Sequence, residues 1–162
     1  MSVVRSKHNE SEMEFIYTAR RLQIYTIQKC VNFPKRYTFY ISQPIAESAT
    51  HIHENVKMAN SIYPTNAHEV QLRRDYLLQA NAQLNSLVSQ IEVAHELFGL
   101  EPNVMKYWMD LVDSEIHLVK GVLKKDKERY KNIKDPDDSS MVKLVKAVIL
   151  EIREIKEAIK AA

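Results

Sequence analysis

Between Asn66 and Phe98, the positions Val70, Arg73, Leu77, Ala80, Leu84, Leu87, Ile91, Ala94 and Phe98 recur at alternating spacings of three and four. Residues spaced in this way share one face of an α-helix, so the stretch predicts one long helix carrying a single apolar seam. Asn66 offers a side-chain oxygen to the first free backbone N–H groups, Glu69 stands three residues on to reach back to the cap, and Gly99 follows where a left-handed residue closes a helix. At 1.5 Å per residue such a helix is about 50 Å long, and neighbours of similar length must cover its seam.

The same periodicity recurs on both sides. Phe15, Ala19, Leu22, Thr26 and Cys30 mark the inward face of a first helix, widened by Ile16, Ile27 and Val31, with Ser11 before Glu14 as its capping pair. Pro34 closes that helix, because proline disfavours a helical conformation at Phe33 and lacks a backbone donor. Ile45, Ala49, Ile52, Val56, Ala59 and Tyr63 predict a second helix, preceded by Tyr37, Phe39, Tyr40 and Ile41. Pro44 leaves two arrangements: a short separate turn over residues 35–41 with Pro44 in the first turn of the main helix, or one kinked helix. The first is expected. After the SIYPT loop, the organising helix and Gly99, Pro102 opens a last long helix with the stripe Met105, Trp108, Val112, Ile116, Val119 and Leu123. Short links favour antiparallel neighbours, so the expected fold is all-α: an antiparallel up-down-up-down four-helix bundle over residues 11–131, behind a flexible N-terminus at residues 1–10.

Beyond the bundle the pattern changes. Residues 132–140 read as a polar linker, and residues 141–162 as a short amphipathic helix with Met141, Val148 and Ile155 at one heptad position and Val145, Ile152 and Ile159 at the other. So short a helix does not stand alone, and Val145, Val148, Ile152, Ile155 and Ile159 are expected to bury against the bundle or against copies of themselves. β-branched residues at both positions favour assemblies of three or more strands. The regularity of this segment in Ala, Lys, Glu, Ile and Val fits an appended or designed packing helix, and equally a native fifth helix.

Composition sharpens the function more by exclusion than by assertion. With two glycines in 162 residues there is no glycine-rich phosphate loop, and no serine or cysteine lies in a nucleophile motif, so a non-enzymatic protein is expected. The single cysteine, Cys30, excludes an intramolecular disulfide framework and sits on an inward face, where a thiol acts as a small hydrophobe. No apolar run approaches the roughly 20 residues of a membrane span, and the N-terminus lacks a signal-peptide core, so a cytoplasmic location is expected. The Glu92-Val-Ala-His95 spacing matches one motif of di-iron bundles but has no second copy, and His51 and His53 point about 200° apart on a helix. No metal and no cofactor are expected.

The remaining chemical signal is basic clustering. Arg20 with Arg21, Lys35 with Arg36, Arg73 with Arg74, and Lys120, Lys124, Lys125, Lys127 and Arg129, from a basic run that ends at Lys131, are the candidate nucleic-acid-binding residues. Arg73 falls on the apolar seam itself, where it must snorkel, pair with a carboxylate, or line an opening used by a partner. The bland reading of these clusters is a solvated face laced with partners such as Asp126 and Glu128.

In layout the chain resembles the four-helix-bundle family that contains the accessory variability determinant of diversity-generating retroelements and the proteins encoded in ribosomal-RNA intervening sequences. The resemblance rests on the first-helix stripe followed by Asn32-Phe33-Pro34-Lys35, on Ala59-Asn60 closing the second helix, and on Arg73-Arg74-Asp75-Tyr76-Leu77-Leu78-Gln79-Ala80 in the third. It covers roughly residues 12–131. It implies a ring-like homopentamer that works beside a reverse transcriptase and its template RNA during mutagenic complementary-DNA synthesis, as an accessory with no catalytic residues. Residues 1–134 hold 18 basic and 15 acidic side chains, a surplus of three, which departs from a strongly cationic surface. The rival expectation is a structural or protein-interaction bundle without nucleic-acid binding.

Overall fold

The computed structural model describes residues 7–133, 144–153 and 156, with side chains described from Met13 onward. Every regular element among them is helical: α1 (Lys7–Cys30), α2 (Gln43–Ser61), α3 (Ala67–Phe98), α4 (Pro102–Arg129) and α5 (residues 144–153). α1 packs on α2 and α4, and α3 packs on α2 and α4, so each of the four long helices has two neighbours.

The ends of α3 follow from its caps. The backbone N–H of Glu69 donates to Asn66 Oδ1 at 2.9 Å, and Gly99, at φ 61° and ψ 51°, donates its N–H to the His95 carbonyl at 2.8 Å. The Glu69 carboxylate reaches back chiefly to Thr65, accepting from its backbone N–H at 2.7 Å and its hydroxyl at 2.9 Å, and these bonds, with smaller contributions from Asn66, hold it below the usual carboxylate range.

The link between α1 and α2 shows how a proline enters a helical path. A 3-10 turn (Lys35–Tyr37) runs into a π-helical turn (Thr38–Ser42), in which Gln43 N–H reaches back to the Thr38 carbonyl, and Pro44 then sits in the first turn of α2. Pro44 cannot donate, and its ring crowds the carbonyl four residues before it; the wider π turn relieves that crowding. The path from Thr38 into α2 is thus unbroken, with Ser42 and Gln43 both helical, so the arrangement is closer to one irregularly wound helix than to the separate turn expected before Pro44.

The core is one cluster. The inward positions of α1 (Phe15, Ala19, Leu22, Thr26, Cys30), of α2 from Ile45 to Ala59, and of α3 from Arg73 to Ala94 are buried as their spacing predicts. Aromatic contacts join the helix ends: Phe33 lies 4.7 Å and Tyr37 5.2 Å from the ring of Phe98, while Tyr25 lies 4.8 Å from Tyr107. Near the start of α4, the indole N–H of Trp108 donates to Thr26 Oγ1 near the end of α1 at 2.9 Å.

Several expectations are corrected. α1 is already helical at Lys7, upstream of Ser11, with no proline or glycine between them to stop the helix. Tyr63 leaves the α2 seam and stands in solvent, since Ile62 is already extended. Ile27 and Val31 do not widen the inward face of α1: with Met13, Tyr17 and Ile24 they form a second, exposed apolar seam about 140° from the first. In α4 Glu115, which the stripe did not include, is fully buried between Val112 and Val119, while Ile116 beside it packs half-buried against the core. Phe39 and Tyr40, at spacings that suit a core, are each 78% exposed.

Candidate nucleic-acid interface

Arg73 is 7% exposed and does not reach the surface. Its Nε donates to Asp126 Oδ2 at 2.6 Å, and one terminal nitrogen donates to the carbonyls of Ala59 at 2.6 Å and Ile62 at 3.2 Å. Of the three fates open to an arginine on the seam, pairing with a carboxylate is realised. The guanidinium fork satisfies the orphan carbonyls at the end of α2 and ties the start of α3 to the end of α4. Arg73 therefore leaves the set of phosphate-binding candidates.

Its neighbour Arg74 faces the other way. Between the start of α3 and the end of α4 lies a cavity of about 160 Å³, with Val70, Leu77 and Leu123 lining its apolar side, Tyr130 forming a wall, and Arg74, Lys127 and Lys131 at its edge. Asp126 is the single carboxylate along this lining, and it is the one engaged by Arg73. Among the described residues, Arg74 and Lys127 have no carboxylate within 4.0 Å, while Lys131 lies 4.0 Å from Glu128. Lys120, Lys124 and Lys127 follow spacings of four and three, which places them on one face over the last turns of α4; Lys131 follows in the turn beyond the helix, and all four are exposed. Lys125 and Arg129 are exposed on α4 outside that register.

The other basic clusters lie elsewhere. Lys35 and Arg36 are exposed in the turn that packs against Phe98 through Tyr37, and the Arg36 guanidinium sits 5.1 Å from the Tyr37 ring centre. From Arg74 to Phe98 along α3 is about 36 Å at 1.5 Å per residue, so these two clusters occupy opposite ends of the bundle. Arg20 and Arg21 are exposed on α1, where Arg21 donates to the Tyr107 hydroxyl at 3.2 Å. The structure thus unites Arg74 with the α4 lysines and keeps the remaining pairs apart.

Other titratable groups are placed without forming a site. His51 Nδ1 lies 3.2 Å from Glu54, and His53 Nδ1 lies 2.8 Å from Gln23 on α1. Burial, then Lys57 and Arg20, lower the pKa of His53. Burial pushes the Cys30 thiol up to about 12, as befits a small hydrophobe. His95 is half-buried and Glu92 exposed, and among the described residues no three metal-ligating side chains come together. Glu115 escaped the sequence reading: it is 0% exposed, neither carboxyl oxygen has a hydrogen-bond partner, and burial pushes its pKa up to about 8. Its position three residues after Val112 and four before Val119 was the available signal, outweighed by the adjacent Ile116.

Val145, Val148 and Ile152 of α5 are exposed, as is every other residue over 144–153. No face of this helix is buried against the bundle. Ile155 and Ile159, assigned to the same seam, lie outside the described residues, as does the greater part of the linker at 132–140. Among the described residues no helix is long and apolar enough to cross a membrane. No family model, no curated protein and no solved structure matches the chain.

Proposed function

We propose that this chain is a non-enzymatic nucleic-acid-binding bundle that acts as an oligomeric accessory to a reverse transcriptase, the role implied by its resemblance to the accessory proteins of diversity-generating retroelements. The observation that supports binding is the row of Lys120, Lys124 and Lys127 on the last turns of α4, running into a groove whose one carboxylate is engaged by Arg73. Lysine and arginine so placed hold phosphates and release counterions without reading base edges. The contacts of Thr26 with Trp108 and of Arg73 with Asp126 pair the ends of α1 and α4 with the starts of α4 and α3, which favours the up-down-up-down arrangement of the four long helices. A cytoplasmic homopentamer contacting template RNA and complementary DNA is the assembly in keeping with this reading.

The test is fluorescence anisotropy of a labelled structured RNA with the full chain, repeated across salt concentrations. Micromolar or tighter binding that weakens steeply with salt is expected, and neutralising Lys124 and Lys127 together should flatten the salt slope by about two. Absence of binding at low salt sinks the proposal.

A second reading has its own observation. The exposed seam of α1 and the fully exposed α5 are apolar helix faces of the kind that bind other helices. They support an interaction role, either beside nucleic-acid binding or in place of it.

A further inference from the structure

We infer that the groove between α3 and α4 takes one unstacked base of a single-stranded nucleic acid, while Arg74, Lys127 and Lys131 hold the phosphates on either side of that base. The inference rests on the nucleic-acid reading above and specifies the kind of strand that is bound. A groove built for phosphate alone would present donors along its depth, whereas this one offers the aliphatic side chains of Val70, Leu77 and Leu123 and keeps its cations at the edge. A duplex would bring phosphates to that edge but leave the apolar interior empty, because its bases remain stacked within the helix. An unstacked base fills the interior and brings its own two phosphates to the edge. Tyr130 gives the base an aromatic wall, and stacking of this kind tolerates every base because each has a π face.

Charge favours the same occupant. Asp126 would repel a strand entering the groove, but the Arg73 guanidinium at 2.6 Å pairs its charge from the inside. Beyond the groove, Lys124 and Lys120 extend the cationic face of α4 by about one turn each, which gives the next phosphates of a single strand somewhere to rest.

The experiment uses the full chain with a labelled oligouridine carrying one 2-aminopurine, and with a blunt RNA duplex of equal length. We expect the single strand to bind more tightly than the duplex, with quenching of the 2-aminopurine as it stacks. Tyr130→Leu, which keeps apolar bulk, should weaken single-strand binding about tenfold and abolish the quenching, Tyr130→Phe should restore both, and duplex affinity should move with neither. Helical melting of each variant checks that the bundle is intact. Equal affinity for strand and duplex, unmoved by Tyr130→Leu but lost in Arg74→Gln/Lys127→Gln, would overturn the base-pocket inference and leave nucleic-acid binding standing. No binding of either RNA would overturn both. A polyglutamate peptide binding as tightly as the oligouridine would also overturn the inference, because it would reduce the groove to a charge trap.

Discussion

Arg73 and Asp126, 53 residues apart in sequence, meet at 2.6 Å at the base of the groove, and both side chains are nearly shielded from water. The pair does two things at once: it closes the end of the bundle over the α2 carbonyls and it masks the acid beside the cationic edge. Arg73→Ala leaves Asp126 unpaired in a poorly solvated place, and a loss of about 3 kcal/mol in urea unfolding is expected. Arg73→Lys should recover less than half of that, because one ammonium cannot serve a carboxylate and two carbonyls with the geometry of the planar fork. Full recovery by lysine would show that charge alone matters at this position.

Trp108 and Thr26 make a second long-range pair, in which the hydroxyl is the acceptor for a fully buried indole N–H. Thr26→Val preserves shape and orphans that donor, at an expected cost of about 2 kcal/mol. Adding Trp108→Phe removes the donor as well, so the double variant should be less destabilised than the sum of the two single changes. Strict additivity in the cycle would mean that the bond contributes nothing.

Glu115 should impose a pH dependence opposite to that of an ordinary salt-bridged acid. Its carboxyl is uncharged in the fold up to about pH 8, whereas in the unfolded chain it ionises near its ordinary value of 4.5. Between those two values the unfolded state binds fewer protons than the fold, so stability falls as pH rises through that window and levels off above it. Glu115→Leu should remove this slope and raise stability at pH 8 by about 2 kcal/mol, since an unpaired buried polar group is replaced by a hydrophobe. Because the lowered pKa of His53 contributes the opposite slope, the check is the difference between the two curves: a pH dependence from 5 to 8 that Glu115→Leu leaves unchanged would contradict the assignment.

How far residues could be read from spacing depended on whether the helix period left a choice. Along α3, Leu77, Ala80, Leu84, Leu87, Ile91 and Ala94 admit one face only, and the caps Asn66 and Gly99 bound it by local chemistry, so burial and ends both follow. In α1 the period admits two apolar faces about 140° apart, and Ile27 and Val31 went to the wrong one because spacing alone does not say which face meets the core. Glu115 and Ile116 both turn toward the core, and hydrophobicity pointed to the isoleucine while hiding the more deeply buried acid. The groove was illegible for a different reason. Arg73 and Arg74 are adjacent in sequence, and only the packing of α3 on α2 and α4 turns one into a buried tie and leaves the other beside Lys127 and Lys131.

The exposed seam of α1 leads to the last prediction. Met13, Tyr17, Ile24, Ile27 and Val31 keep the spacings of a helix-helix interface, with Arg20 at the one intervening position, and the described residues leave each of them at least 40% exposed. Apolar side chains in that register gain by packing against a helix of another copy, and the expected homo-oligomer needs such a face. Ile24→Glu combined with Ile27→Glu should therefore lower the mass measured by light scattering toward that of one 18.9 kDa chain. Because both positions face solvent in the bundle, the thermal midpoint of the dissociated variant should stay within about 3 °C of that of the parent chain diluted to monomer. An unchanged mass would move the interface away from α1 and leave α5, whose Val145, Val148 and Ile152 are equally exposed, as the element to mutate next. A parent chain that is monomeric at every concentration would dispose of self-association altogether, and with it the oligomeric part of the accessory role.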